Sequence, residues 1–168
     1  MKNSKITRVA QLGLFTAVAL ILSYVESLLP PIWAAVPGIK VGLPNIIIIL
    51  ILYKAGFKAA AAVSLIRVSI VALLFGSVMT LAYSLAGAIL SLTLMALCKR
   101  FDLFSTVGVS IVGGVSHNLG QILVAIGLFE SVQIGYYMIV LAFTGTVAGI
   151  FIGLAGSLLL KRLEKFRF

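Results

Sequence analysis

The segment Ser110–Gln121, SIVGGVSHNLGQ, places strongly polar side chains in the middle of a long apolar stretch. It contains the only histidine of the chain, His117, together with Asn118 and Gln121. The apolar stretch around it, residues 104–129, is about long enough to cross a bilayer as a helix. Polar side chains at that depth are costly unless they face the protein interior or a cavity. The segment therefore predicts a transmembrane helix that lines a site inside a bundle.

The composition of the whole chain favours an integral membrane protein. Of its 168 residues, 62% are hydrophobic and 10% are charged, whereas a soluble globular domain has roughly 25% charged residues. The 13 Lys and Arg residues against 4 acids give a net charge of +9, which in a soluble protein would suggest nucleic acid binding. Here the distribution of the cations along the chain indicates a membrane topology instead.

Six apolar segments are predicted to form transmembrane helices in a single domain, residues 1–168. Pro30 and Pro31 end the first segment, because proline lacks the amide that a helix needs. The second segment is short and rich in β-branched residues, but a lone strand could not satisfy its backbone in lipid, so it is also predicted to be helical. The predicted spans are residues 6–29, 43–53, 59–75, 78–98, 104–129 and 133–160.

The positions of the basic residues support six spans. Eleven of the 13 lie before or at the start of span 1, between spans 2 and 3, between spans 4 and 5, or after span 6. With six spans all of these segments lie on one side of the membrane, and the positive-inside rule then predicts that both termini are cytoplasmic. The two exceptions are Lys40, in a loop on the other side, and Arg67, within a span.

The face of span 5 that carries the polar residues is a candidate ligand site. His117 and Gln121 are four residues apart, as are Gly114 and Asn118, and residues at this spacing share a helix face. The small glycines let another backbone or a ligand approach closely. The alternative is that His117 and Asn118 bond to neighbouring helices and hold the bundle together.

Arg67 is the only charged residue in the centre of a predicted span. An arginine there must be paired, hydrated or facing a ligand, and its guanidinium group suits a phosphate or a carboxylate. The alternative is a structural ion pair with Glu26, near the outer end of span 1. Lys40 and Asn45, near the predicted outer mouth, and Tyr83 on span 4 complete the set of candidate ligand-binding residues.

Small residues spaced three or four apart predict three close-packing surfaces. On span 6 they form a glycine ridge, which we interpret as structural or as a partner interface. On span 4 they form a stripe that favours close helix packing. On span 1 they indicate either internal packing or a docking face for another membrane subunit. The residues are Gly145, Gly149 and Gly153 on span 6, Thr80, Ser84, Gly87 and Ser91 on span 4, and Ala10, Gly13 and Ala17 on span 1.

The sequence lacks the motifs of several kinds of catalytic and metal-binding site. The chain has no P-loop, so we expect no ATP hydrolysis through one. Its acids are not clustered in the way that Mg²⁺ on a diphosphate substrate requires. Neither a second His or Cys nor a carboxylate stands at metal-ligand spacing from His117. We therefore expect a protein that is not an enzyme and that uses no metal or other cofactor.

Several segments of the chain also resemble a known family of membrane proteins. The most specific of them is SIVGGVSHNLGQ. The others are PGIKVGLPNI (Pro37–Ile46), SLIRV (Ser64–Val68), LFGS (Leu74–Ser77), YSLAG (Tyr83–Gly87) and MALCKR (Met95–Arg100). Over nearly its whole length the chain is similar to the Gx transporter family, also named heptaprenyl diphosphate synthase component I. This family resembles the substrate-binding S components of energy-coupling factor (ECF) transporters.

The resemblance implies an S-component-like bundle in the bacterial cytoplasmic membrane, with a ligand cavity that opens to the outside. It also implies docking through span 1 onto a transmembrane partner subunit, with transport driven by two cytoplasmic ATPases. S components usually carry A-x-x-x-A in span 1, and the nearest match here is Gly13–Ala17, GLFTA. On this interpretation the chain captures a small polar or anionic ligand.

Two other functions remain open at this stage. The chain could be an accessory membrane subunit of an enzyme of polyprenyl diphosphate or quinone biosynthesis. It could also be a self-sufficient channel or carrier that forms oligomers through the glycines of span 6.

Overall fold

The computed structural model describes residues 2–28 and 41–164, with side chains from residue 5 onward. These residues form helices joined by short turns. The helices are α1 (Lys2–Leu28), α2 (Asn45–Lys54), α3 (Phe57–Phe75), α4 (Val78–Arg100), α5 (Thr106–Phe129) and α6 (Tyr137–Arg162), with a short 3₁₀ helix, Val132–Tyr136, before α6.

Five of these helices, all except α2, are long and apolar enough to cross a membrane. The predicted all-helical, membrane-type fold is therefore confirmed. Helix α2 has 10 residues, and at 1.5 Å per residue it is about 15 Å long, roughly half the thickness of the hydrocarbon core. The six predicted spans thus correspond to five long helices and one short one.

Helix α2 is buried on every side. Its residues from Ile47 to Leu52 are all buried, and four of these six form a core with apolar side chains of α1, α3, α4 and α5. A helix that is apolar all round belongs in the interior of a bundle. The short length of α2 is therefore tolerated because its neighbours shield it from lipid.

Basic side chains from other helices cap the C-terminal end of α2. Lys99 Nζ donates to the carbonyl oxygens of Leu52 (2.7 Å) and Tyr53 (3.3 Å), and the ammonium group lies 5.0 Å from the centre of the Tyr53 ring. Arg8 Nη2 donates to the carbonyl oxygen of Ala55 at 3.2 Å. These carbonyls have no partner within the helix, and the cations also complement the negative end of its dipole.

These contacts collect basic residues at one end of the bundle. A further hydrogen bond joins Lys54 Nζ to the carbonyl oxygen of Glu164, just beyond α6, at 3.1 Å. The start of α1 and the ends of α2, α4 and α6 therefore meet, and we call this region the basic end. The sequence assigned the cations of these segments to one side of the membrane, and in the structure these helix ends lie together.

The glycine ridge of α6 packs against α5. A Cβ atom on Gly149 would lie 2.6 Å from the Cα atom of Ile111, and one on Gly153 would lie 2.7 Å from the Cα atom of Val107. Only glycine permits backbones to approach this closely. The ridge is thus an internal packing surface, and α5 is held between α6 and α4.

Candidate functional site

The structure brings together five of the seven predicted ligand-binding residues around one cavity. This cavity, which we call cavity A, has a volume of about 60 Å³ and lies among α1, α2, α3, α5 and α6. Its predicted members are Asn45 from the start of α2, Arg67 from α3, and His117, Asn118 and Gln121 from α5. The other lining residues are Glu26, Val41, Gly42, Gly114, Gly145, Ala148 and Ile152.

A second cavity, cavity B, adjoins the first and has a volume of about 120 Å³. It lies among α1, α3, α4 and α5, and it reaches Ser27, Gly76 and Thr80 at the end of the bundle opposite the basic end. Four residues line both cavities and so form a shared wall: Glu26, Arg67, His117 and Gln121.

Arg67 lies near the middle of α3 in this shared wall. Its Nε atom is buried and has no hydrogen-bond partner among the described residues. Glu26 lines the same cavities, but its carboxylate accepts a hydrogen bond from the backbone amide of Gly42. Within the described part of the chain the two side chains form no salt bridge, although the negative charge of Glu26 still attracts the guanidinium group.

His117 and Gln121 interact along α5, as their spacing predicts. The amide nitrogen of Gln121 lies 3.3 Å from His117 Nε2. Because an amide nitrogen can only donate, the ring nitrogen accepts. This contact holds the two polar side chains side by side, and both line cavities A and B.

Two glycines of α4 and α5 determine where His117 lies. A Cβ atom on Gly87 would lie 2.8 Å from the carbonyl oxygen of His117 and 2.9 Å from its ring. On α5, a Cβ atom on Gly120 would lie 2.7 Å from the carbonyl oxygen of Ala86. The predicted close packing along α4 is therefore present at Gly87, while Thr80 and Ser84 of the same stripe line cavity B.

Asn118 connects α5 to α6. Its Nδ2 atom donates to the carbonyl oxygen of Leu141 at 2.7 Å, and beside it Gly114 and Gly145 bring the two backbones into contact. Bonding to a neighbouring helix was the alternative to ligand binding that the sequence left open for Asn118. The side chain also lines cavity A, so Asn118 supports the wall of the cavity.

The structure describes only one of the two remaining predicted residues. Lys40 lies outside the described residues. Tyr83 is half-buried and lines neither cavity A nor cavity B. Successive helix residues are about 100° apart, and Ser84 takes the position on α4 that faces cavity B.

Glu26 is a member of the site that the sequence analysis treated only as a possible partner of Arg67. A carboxylate inside an apolar span is as costly as an arginine there, so the same argument could have marked it as a site residue. The sequence could not reveal that the Glu26 carboxylate accepts a hydrogen bond from the Gly42 amide. This bond joins α1 to the segment that precedes α2.

The predicted docking residues share one exposed face of α1. Ala10, Gly13 and Ala17 are all exposed, and a Cβ atom on Gly13 would meet no atom within 4 Å. The interpretation of these residues as internal packing is therefore wrong. Their role in docking stays a prediction.

The described residues contain no group of three His, Cys, Asp or Glu side chains that could hold a metal ion. The polar groups around the cavities are instead a guanidinium, a carboxylate, an imidazole and amides. Such a set can bind a small molecule through hydrogen bonds and charge.

Comparison with known proteins identifies the family of the chain. A family model described as heptaprenyl diphosphate synthase component I matches residues 15–159. Searches of the curated proteins and of the solved structures return no match. The matched segment includes every residue that lines cavities A and B, and it confirms the family that the sequence motifs indicated. The chain belongs to the heptaprenyl diphosphate synthase component I family.

Proposed function

We propose that the chain is the substrate-binding subunit of an ECF-type transporter. It captures a small polar or anionic ligand from outside the cell, and partner ATPase subunits power the uptake. The observation that carries this proposal is Arg67, a half-buried cation between two cavities, whose Nε atom is buried and has no partner among the described residues.

A guanidinium group whose Nε atom is buried requires a compensating partner. The cost of removing a charge from water is several kcal/mol even after the protein relaxes, and Glu26 is engaged with Gly42. An anionic group in cavity A or B could accept charge-assisted hydrogen bonds from Arg67, while Gln121 and Asn45 supply amide groups nearby. A carboxylate or phosphate ligand fits this arrangement.

The placement of the cavities supports capture from outside. Cavity B extends from Arg67 to Ser27, Gly76 and Thr80, away from the basic end. The positive-inside rule assigns the basic end to the cytoplasm. Both termini are then cytoplasmic, the short α2 counts as the second of six spans, and the cavities face outward.

The size of the cavities supports a small ligand. Their volumes are about 60 and 120 Å³, whereas sites for drug-sized molecules are typically about 300–1,000 Å³. The side chains of the shared wall separate the two cavities, and their displacement by a ligand would join them into one site.

In this proposal the chain is a binding subunit and not an enzyme, and it works with other proteins. The exposed face of α1 formed by Ala10, Gly13 and Ala17 would dock onto the transmembrane partner, since small residues let helices approach closely in lipid. Two cytoplasmic ATPases bound to that partner would supply the energy.

A second candidate function is an accessory membrane subunit of a prenyl diphosphate synthase, which the description of the family favours. The partner would then be a soluble enzyme. The third possibility from the sequence, an oligomeric channel, loses its proposed interface, because the glycines of α6 are packed against α5.

Identification of the partners separates these functions. The tagged chain is purified from its native membrane in mild detergent, and the proteins that accompany it are identified by mass spectrometry. ATPases with a transmembrane subunit support the transporter, and a soluble prenyl synthase without them contradicts it. Uptake by the chain alone in liposomes without ATP would also contradict the proposal.

A further inference from the structure

A groove at the basic end is separate from cavities A and B. It has a volume of about 450 Å³ and lies between the start of α3 and the end of α4, with one residue of α2 at its floor. It shares no lining residue with either cavity. We call it the basic-end groove, and its residues are Leu52, Phe57, Thr93, Ala96, Leu97, Lys99 and Arg100.

The part of the groove that runs toward the membrane centre is apolar and open at the surface. Phe57 and Leu97 on its two sides are 47% and 42% exposed. The hydroxyl group of Thr93 donates to the carbonyl oxygen of Ile89 on its own helix at 2.7 Å, which satisfies its donor. This surface suits a hydrocarbon chain.

The opposite end of the groove is positively charged. Lys99 is held by two carbonyl oxygens of α2, which leaves the third proton of its ammonium group for another acceptor. Arg100 is exposed at the end of α4 and forms no salt bridge within the described part of the chain. Two cations therefore stand above an apolar channel, and within the described part of the chain neither forms a salt bridge with the nearby Asp102.

We propose that the basic-end groove binds an anionic phospholipid from the adjacent membrane leaflet. The phosphate of the headgroup is held by Arg100 and Lys99, and an acyl chain lies along Phe57 and Leu97. Charge complementarity argues for this occupant, because basic pockets between transmembrane helices on the cytoplasmic side suit anionic headgroups. The inference does not depend on the transport function.

Native mass spectrometry of the full-length protein tests this site. The protein is stripped of lipid in detergent and titrated with phosphatidylglycerol, or with phosphatidylcholine that carries the same acyl chains. We expect a first phosphatidylglycerol to bind more tightly than phosphatidylcholine. Arg100→Gln should weaken it about fivefold, the effect of losing one cation near a lipid surface.

Two further variants distinguish the groove from the general charge of the basic end. Arg162→Gln removes another exposed arginine at this end but outside the groove, so we expect no change in the first binding step. Ala96→Phe fills the groove and keeps every charge, so we expect weaker binding. Size-exclusion profiles show whether each variant is folded.

The proposal is overturned if Arg100→Gln and Arg162→Gln weaken binding equally, or if the two phospholipids bind alike. It is also overturned if Ala96→Phe, shown to be folded, binds as the wild type does. Tight binding of farnesyl diphosphate at the same residues with no binding of phosphatidylglycerol would assign the groove to an isoprenoid instead.

Discussion

Arg67 and Glu26 have opposite charges and line the same two cavities, yet each has a different task. Glu26 holds the backbone at Gly42, where the chain enters α2. Arg67 has an Nε atom with no partner among the described residues. The site therefore offers a cation for an anionic ligand and a carboxylate that fixes the adjoining backbone.

Two substitutions of Glu26 separate its charge from its hydrogen bond. Glu26→Gln keeps an oxygen that can accept from Gly42 but removes the negative charge that competes for Arg67. We expect it to bind the co-purified anion up to about tenfold more tightly, or roughly 1.4 kcal/mol. Glu26→Ala releases Gly42 and should retain less of the anion, as measured by mass spectrometry of the extracted molecules. Equal loss in both variants would contradict this division of roles.

Gly87 can be tested as the residue that positions His117. In Gly87→Ala the new methyl group would meet the backbone and ring of His117 at 2.8–2.9 Å, and overpacking of this kind costs about 1–3 kcal/mol. We expect a lower unfolding temperature in detergent and weaker ligand retention. Gly127→Ala, on the helix of His117, is the control, since its methyl group meets nothing within 4 Å. If both variants behave alike, Gly87 does not set the position of His117.

At the scale of helices, the sequence predicts each α-helix of the described residues, including the short α2, but it misses the 3₁₀ helix before α6. Charged or Gly-containing turns bound long apolar runs at α3 and α4, so the predicted and observed limits differ by two residues or fewer. The start of α6 was placed at residue 133, but a 3₁₀ helix precedes it and α6 begins at Tyr137. Apolar periodicity does not distinguish these two kinds of helix.

The same limits apply to the candidate site. Helix periodicity placed His117 and Gln121 on one face, and their side chains are in contact. It could not show which helices surround that face, so it suggested Tyr83, which lies away from the cavities, and undervalued Glu26. Contacts between distant segments depend on how the helices pack, which a single sequence does not specify.

The capped end of α2 allows a prediction about a whole helix. Lys99→Gln removes the ammonium group that binds the carbonyls of Leu52 and Tyr53, and charged hydrogen bonds of this kind contribute about 1.5–3 kcal/mol. We expect a lower unfolding temperature and faster amide hydrogen exchange in α2. Lys161→Gln, at an exposed position in the last turn of α6, should change neither. Unchanged exchange in Lys99→Gln would show that burial alone holds α2.

In the whole molecule, the features described above lie at the two ends of the helix bundle and along one of its sides. The capped end of helix α2 and the basic-end groove lie at the basic end, and cavity B reaches the opposite end. Helix α1 lies at the side of the bundle and leaves the small face of Ala10, Gly13 and Ala17 uncovered. A binding subunit that docks sideways onto a partner would have this arrangement.

The exposed face of α1 predicts how docking can be blocked without unfolding the chain. Gly13→Leu adds a side chain where nothing lies within 4 Å, so we expect an unchanged unfolding temperature but loss of the co-purifying transporter subunits. Ala62→Leu, which enlarges an exposed small residue of α3, is the control and should keep them. Retention of the partners by Gly13→Leu would place the docking surface elsewhere.

The central claim is that Arg67 binds an anionic ligand. The most direct test is to identify the small molecules that the purified protein retains. Loss of one partner of a buried charged pair costs at least about 2 kcal/mol, or roughly thirtyfold in affinity. We therefore predict that mass spectrometry finds an anionic molecule in the wild type and in Arg162→Leu but not in Arg67→Leu. An equal amount of that molecule in a folded Arg67→Leu protein would contradict the account.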